Sequence, residues 1–303
     1  MSEQEPSPAV VDPQSTTTVP LNENGLPVLG FHEGVIDTDY RRAPGINKSS
    51  LDLIAKSPAT YFFERSNPRP STPAMVFGSA LHCLVLEPEK FEQVYIPDAF
   101  PGNRSKEALA WRETRKHAGQ IVIRSDGDAS DPWDRSDWDK LHLMRDSIMA
   151  NGVAAALIAD AQREVSFWWI DSETKKLCKG RIDGWSPAHS IAFDLKTMSD
   201  ATWSGFSRSI HDYRYHVQDA FYTDGLNACG KLVGEFVFIV AEKDPPYLTA
   251  CYMVPFEWRQ QGRVQYSQNL QTFKKCMEED KWPGLEELRE LHMPAFARYG
   301  RIS

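Results

Sequence analysis

Between residues 164 and 198 the period of the chain changes. Apolar residues there gather into three short runs, "EVSFWWID", "KLCKGRIDGW" and "SIAFDLKTM", separated by turn residues. Such runs read as three successive strands, and consecutive strands require a sheet with something to cover it. The flanking segments supply that cover. Upstream, "GINKSSLDLIAKSPATYFFER" offers Asn47 or Ser49 as a helix cap and Pro58 as a stop. "AMVFGSALHCLVLEPEKF" repeats Phe77, Leu81, Leu84 and Val85 at helical spacing and stops at Pro88, and a further helix is expected over "WDKLHLMRDSIMANGVAAALIAD". Downstream, "YRYHVQDAFYTDGLNACG" reads as a helix ending at Gly230. "GEFVFIVAEK" and "LTACYMVPF" read as strands, and "EWRQQGRVQYSQNLQTFKKCMEED" as a long closing helix. This order predicts an α/β (α+β) domain with one central mixed β-sheet flanked by helices.

Composition narrows the class. At 41% hydrophobic residues, 303 residues can bury a large core. No run approaches the roughly 18 apolar residues of a membrane span, and no basic-then-apolar leader opens the chain, so a cytoplasmic protein is expected. The five cysteines lack any Cys-x-x-Cys pair, which argues against a disulfide framework, a structural zinc site or an iron–sulfur cluster. The formal net charge of −8 is unevenly spread. Residues 1–33 hold several acids, many Pro, Ser and Thr, and no Lys or Arg; they read as a disordered acidic tail. Residues 34–303 read as a single domain, its core at about 70–280, interrupted by a polar excursion over 98–140. That excursion carries a basic cluster of Arg104, Lys106, Arg112, Arg115 and Lys116. The cluster reads either as a phosphate grip or as a solvated charged face. Trp111, Trp133 and Trp138 suit base stacking or loop packing equally.

One strand breaks the rule for a buried strand. In "FDLKTM", Asp194 and Lys196 are two apart, so they share a face of the sheet. An isolated D-x-K reads as an exposed salt bridge, and three features weigh against that. A short hairpin can bring Asp183, in "KGRIDGW" on the preceding strand, beside Asp194, and two adjacent carboxylates repel unless a cation lies between them. Oxygen-rich sites of this kind select hard ions such as Mg²⁺ or Mn²⁺; Asp-Gly alone reads equally as a turn. His82 lies four residues after Gly78, on one helix face that the glycine would let approach another element. A lone helical His is more often structural. Gln218 and Tyr222 share a face of the helix after the D-x-K strand, which by itself reads as packing. Glu164 is either an outer carboxylate or a surface charge entering its strand.

Taken in order, G-x-x-x-H, D, D-x-K and Q-x-x-x-Y fall on helix, strand, strand and helix. The set resembles the PD-(D/E)xK nuclease superfamily, its RecB-like branch, and within it the phage RecE-type exonucleases (exodeoxyribonuclease VIII, C-terminal domain). "FGSALHCLVLEPEKF", "GRIDGW", "FDLKTMSDA" and "YRYHVQDAFYTDG" resemble that family's motifs in order, as do "NRSK" near Arg104 and "VAEKDPPY" near Lys243. The likeness covers roughly residues 45–280. It implies a restriction-endonuclease-like core and one or two Mg²⁺ (or Mn²⁺) ions held by His82, Asp183, Asp194 and the Leu195 carbonyl. Lys196 would stand beside the attacking water, and Gln218 and Tyr222 would contact DNA or brace the metal site. It further implies a 5′-to-3′ exonuclease on double-stranded DNA ends, leaving 3′ single strands. A single-strand annealing recombinase partner, a ring-like homo-oligomer and a phage or prophage origin in a bacterial host are implied with it. A RecB-like repair or CRISPR-type nuclease with an iron–sulfur cluster lacks its cysteines here. An inactive DNA-binding module would have no reason to keep such a cluster of like charges.

Overall fold

A computed structural model of the chain describes residues 19–285 together with Leu288 and Glu290. The first eighteen residues of the expected tail, and the rest of the C-terminus of the expected 34–303 domain, lie outside the described residues. The remainder of that tail differs from expectation. Residues 30–32 form a short strand, β1 (Gly30–His32), on the edge of the main sheet. The segment is ordered because Val19 and Val35 pack with Tyr40 around the buried Trp168.

The chain then runs through α1 (Asp37–Arg42), α2 (Lys48–Lys56) and α3 (Pro58–Ser66). Asn47 caps α2 by accepting from the Ser50 amide, and Ser57 caps α3, with Pro58 as its first residue. Pro58 therefore starts a helix as well as ending one, because its missing N–H is harmless in a first turn. Next come α4 (Pro73–Leu86), α5 (Pro88–Val94), β2 (Tyr95–Pro97), α6 (Lys106–His117) and β3 (Ile121–Ile123). β2 and β3 pair in parallel, so the polar excursion is a small strand–helix–strand unit. The one helix expected after it is two, α7 (Asp137–Ala150) and α8 (Gly152–Asp160). Asn151 breaks them: its backbone is extended and its side chain accepts from the Val153 and Ala154 amides.

The expected strands follow as β4 (Gln162–Ile170), β5 (Leu177–Ser186) and β6 (Ile191–Met198). An amphipathic helix that the sequence reading lacked, α9 (Trp203–Asp212), precedes α10 (Tyr215–Ala228). β7 (Glu235–Glu242), β8 (Thr249–Met253) and α11 (Phe256–Glu279) complete the order. The main sheet is six-stranded, ordered β1-β4-β5-β6-β7-β8. All its pairings are antiparallel except β6 with β7, which α9 and α10 connect as a crossover. The sheet is mixed, as expected.

Side-chain alternation divides the core. Phe193 and Leu195 of β6, with Val237, Ile239 and Ala241 of β7, join α4, α5, α7 and α8. Ala192 of β6, with Phe236, Phe238 and Val240 of β7, joins α9, α10 and α11. By parity, Asp194 and Lys196 belong to this second face. Glycine permits the tightest approaches: a Cβ at Gly184 would overlap the Phe193 ring across the strand pair, and one at Gly262 would meet the His216 carbonyl where α11 crosses α10. Among the described residues no helix is long and apolar enough to cross a membrane. All five cysteines are free.

Candidate metal centre

The strand registers put three carboxylates side by side. Glu164 lies between the paired rows Arg163–Gly184 and Val165–Ile182, hence opposite Asp183. Asp183 and Asp194 come one step beyond the last paired residues of β5 and β6, Gly184 and Phe193. The ladder is thus interrupted along this row. Glu164 itself adopts a left-handed backbone, φ 52°, uncommon for a residue with a Cβ. Where β5 and β6 stop pairing, Asp183 Oδ2 takes the place of a backbone acceptor: the Leu195 amide donates to it at 2.6 Å.

Each carboxylate has a cationic companion. Arg181 Nε donates to Glu164 Oε2 at 2.7 Å and its Nη1 to the Val35 carbonyl, joining the row to the segment after β1. His82, on α4, places Nδ1 3.2 Å from Asp183 Oδ2. Gly78 faces Thr197 of β6, but a Cβ there would sit 3.9 Å from the hydroxyl. Space for close approach is therefore not what requires that glycine. Lys196 Nζ lies 2.6 Å from Asp194 Oδ2, an ion pair outside hydrogen-bond alignment, so among the described residues that buried oxygen has no hydrogen-bond donor. Gln218 Nε2, from α10, donates to Asp194 Oδ1.

The electrostatics are uneven along the row. Burial pushes Asp183 up, but the charge and hydrogen bond of His82 outweigh it and hold Asp183 below the ordinary carboxylate value. Glu164 is pushed up, first by burial and then by Asp183, against Arg181. Asp194 is also pushed up, by burial and by Asp183, against Lys196. Burial pulls His82 down, yet Asp183, with Asp194 and Glu164 behind it, raises it to about 9. One negative charge sits comfortably in the middle of the row, and its two neighbours are crowded. A divalent cation relieves that crowding.

Among the described residues, His82, Glu164 and Asp183 form the set of potential ligands whose donor atoms lie within 4.8 Å of one another. Two carboxylates and an imidazole fit Mg²⁺ or Mn²⁺. The expected set was His82, Asp183, Asp194 and the Leu195 carbonyl. In this geometry Glu164 stands inside the cluster, and Asp194 stands beside it, held by Lys196 and Gln218. No local signal in "REVSFWW" separated Glu164 from a surface charge; only the register does.

The site opens into a cleft with two lobes. One, about 500 Å³, is lined by His82, Glu164, Asp183, Ser49 and Ser79. The other, about 580 Å³, is lined by Asp194, Lys196, Lys48, Tyr213 and Arg214. Ser49, Arg181, Asp183 and Tyr222 border both. Tyr222 is half-buried with its ring edge-on to Phe167, and burial pushes its hydroxyl well above its usual value. Gln218 lines the second lobe too, buried there with its amide donating to Asp194. Sequence reasoning did not single out Lys48, Tyr213, Arg214 or Arg181.

The basic cluster of the excursion is put to mixed use. Arg112 donates to Asp98 and to the Phe100 and Asn103 carbonyls, tying down the loop before α6. Arg115 lies over the Trp111 ring, 5.3 Å from its centroid. Lys116 stands 4.0 Å from Glu113, one turn back on the same helix. Arg104 and Lys106 are exposed, with no ion pair among the described residues. Of the tryptophans, Trp111 packs edge-on to Phe100, Trp138 packs on Phe91 and His142, and Trp133 is 73% exposed.

The model of a PDDEXK-like domain of unknown function (DUF3799) matches residues 48–291. A solved structure of a proposed exonuclease from Eubacterium rectale is similar over 82% of this chain and 90% of that one, with a TM-score of 0.54 at 14% identity. No curated protein matches the chain in sequence.

Proposed function

Because the chain belongs to the PDDEXK-like domain family DUF3799, we propose that it is a divalent-metal-dependent nuclease that hydrolyses phosphodiester bonds of DNA. The observation that carries this reading is the row of Glu164, Asp183 and Asp194 on adjacent strands, with His82 and Lys196 at its edges. The name of the Eubacterium rectale neighbour points the same way.

His82, Glu164 and Asp183 would hold the ion, and a bound divalent ion supplies acidity to water and relief of negative charge at the phosphate. Burial pulls Lys196 down, but Asp194 outweighs it and holds the amine above its usual value. Lys196 is therefore an ammonium. It donates a hydrogen bond to the attacking water or to the phosphate oxygen, and does not remove a proton. Gln218 fixes Asp194, and Asp194 fixes Lys196 in turn.

More narrowly, the reading is of a RecE-type exodeoxyribonuclease that degrades one strand of linear duplex DNA from its 5′ end with Mg²⁺ or Mn²⁺. It would act as a ring in the cytoplasm of a bacterial host, phage- or prophage-encoded, and feed 3′ single strands to an annealing protein. The sequence motifs support this narrower part. Digestion of 5′-labelled, 3′-labelled and circular duplex, with and without Mg²⁺, tests it. Metal-dependent release of 5′ label with circles spared is expected. Cutting of circles would remove the exonuclease assignment, and absence of any cutting with either ion would remove the nuclease.

A further inference from the structure

We propose that Tyr213 is a stacking platform for one nucleobase of the strand lying in the cleft; this rests on the nuclease reading above. Tyr213 sits in the connection between α9 and α10 and is 61% exposed. Its ring stacks on Tyr215 at 5.6 Å and 26°. Tyr215 stacks on Phe206 at 6.0 Å and 27°, and Phe206 on Tyr252 at 5.0 Å and 19°. The four rings form a series of stacked contacts that passes through the buried Phe206 and has Tyr213 at its exposed end. Its outer face is an open position for one more flat ring.

The platform is held still. Lys48, from α2, donates to the Tyr213 carbonyl at 2.7 Å, and the Tyr213 amide donates to the Ser209 carbonyl at 3.0 Å. The next residue, Arg214, takes a left-handed backbone, φ 54°, and is clamped by Asp52 at 2.9 Å and Asn269 at 2.7 Å. A rigid ring loses little freedom when a base settles on it.

The location selects the occupant. Tyr213 lines the same lobe as Asp194 and Lys196. The next ring in the series, Tyr215, has Lys196 Nζ 4.7 Å and Lys48 Nζ 5.8 Å from its centroid. Two lysines, paired with Asp52 at 2.7 Å and with Asp194 at 2.6 Å, thus lie one ring away from a face for a base. The preceding residues His211 and Asp212 are exposed and polar.

Short single-stranded DNA carrying one 2-aminopurine, moved position by position, tests the platform with Ca²⁺ present in place of Mg²⁺. Quenching at one position in the wild-type protein is expected, kept by Tyr213→Phe and lost in Tyr213→Leu. The leucine variant is expected to bind roughly five- to 150-fold more weakly, the range for loss of one base–aromatic stack. An abasic nucleotide at the quenched position should weaken the wild type by a similar factor and the leucine variant hardly at all. No quenched position, or equal loss with the abasic strand in both proteins, overturns the proposal. Quenching by a protein that cuts no DNA with Mg²⁺ or Mn²⁺ sustains the platform and removes the nuclease reading. Cutting and binding unaffected by Tyr213→Leu do the reverse.

Discussion

The carboxylate row and helix α6 are both dense in charge, yet their charges behave differently. In the row, Asp183 and Asp194 are buried, and their partners come from other parts of the chain: His82 from α4 and Gln218 from α10. On α6, Lys116 and His117 face Glu113 on the same exposed helix, at 4.0 and 3.2 Å. Exposed neighbours of that kind contribute about 0–1 kcal/mol, whereas taking a charge out of water costs several kcal/mol unless a partner or an ion offsets it. The row differs from a structural buried pair such as Asp219 with Arg259 in gathering several carboxylates at one place.

Removing the central carboxylate is the most severe test of that contrast. Asp183→Asn should reduce metal-dependent cleavage to background in a labelled-duplex assay, and retained activity would dissolve the distinction between the two regions. Next comes the buried pair. Asp194→Ala leaves the Lys196 ammonium without its carboxylate in a mostly buried position. A loss of about 3–5 kcal/mol in denaturant titration is expected, partly recovered by adding Lys196→Met. Equal stability of single and double variants would show that the pair behaves like a surface one.

The third test is pH. His82 lies above its unfolded value of 6.5, at about 9. Its protonated form therefore stabilises the ion-free protein fully below about pH 6.5, and that contribution fades as pH rises through 9. Because a bound ion replaces the proton, the rise in melting temperature on adding Mg²⁺ or Mn²⁺ should grow over the same window. The stability change without metal should be on the order of 1–3 kcal/mol, and His82→Ala should flatten it. A wild-type profile flat from pH 6.5 to 9 in EDTA would contradict the coupling. The smallest effects belong to the excursion. Arg104→Ala and Lys106→Ala should each leave stability within about 0.5 kcal/mol and lower the salt slope of DNA binding by about one. Arg112→Ala should instead destabilise, because it bonds Asp98 and two carbonyls.

Much of the architecture was legible in local sequence. The strands around Phe167, Asp183 and Asp194 stand where their alternation placed them, and Asn47 caps its helix as its residue type predicts. Misreadings have local causes. Asn151 splits a continuous apolar pattern with one side-chain cap. Short α9 follows a turn-like "SDAT", and its Thr202 cap went unrecognised. Gly30–His32 looked like tail because its partner strand lies more than a hundred residues away.

The amino-acid order alone determined that a D-x-K strand follows a second aspartate strand within one mixed sheet, because period and turn chemistry act over a few residues. Tertiary structure decided the rest. Register brought Glu164 opposite Asp183, α10 delivered Gln218 to Asp194, and Lys48 reached across 165 residues to hold Tyr213. Such contacts depend on how twisted strands and crossing helices meet, and no local spacing encodes that.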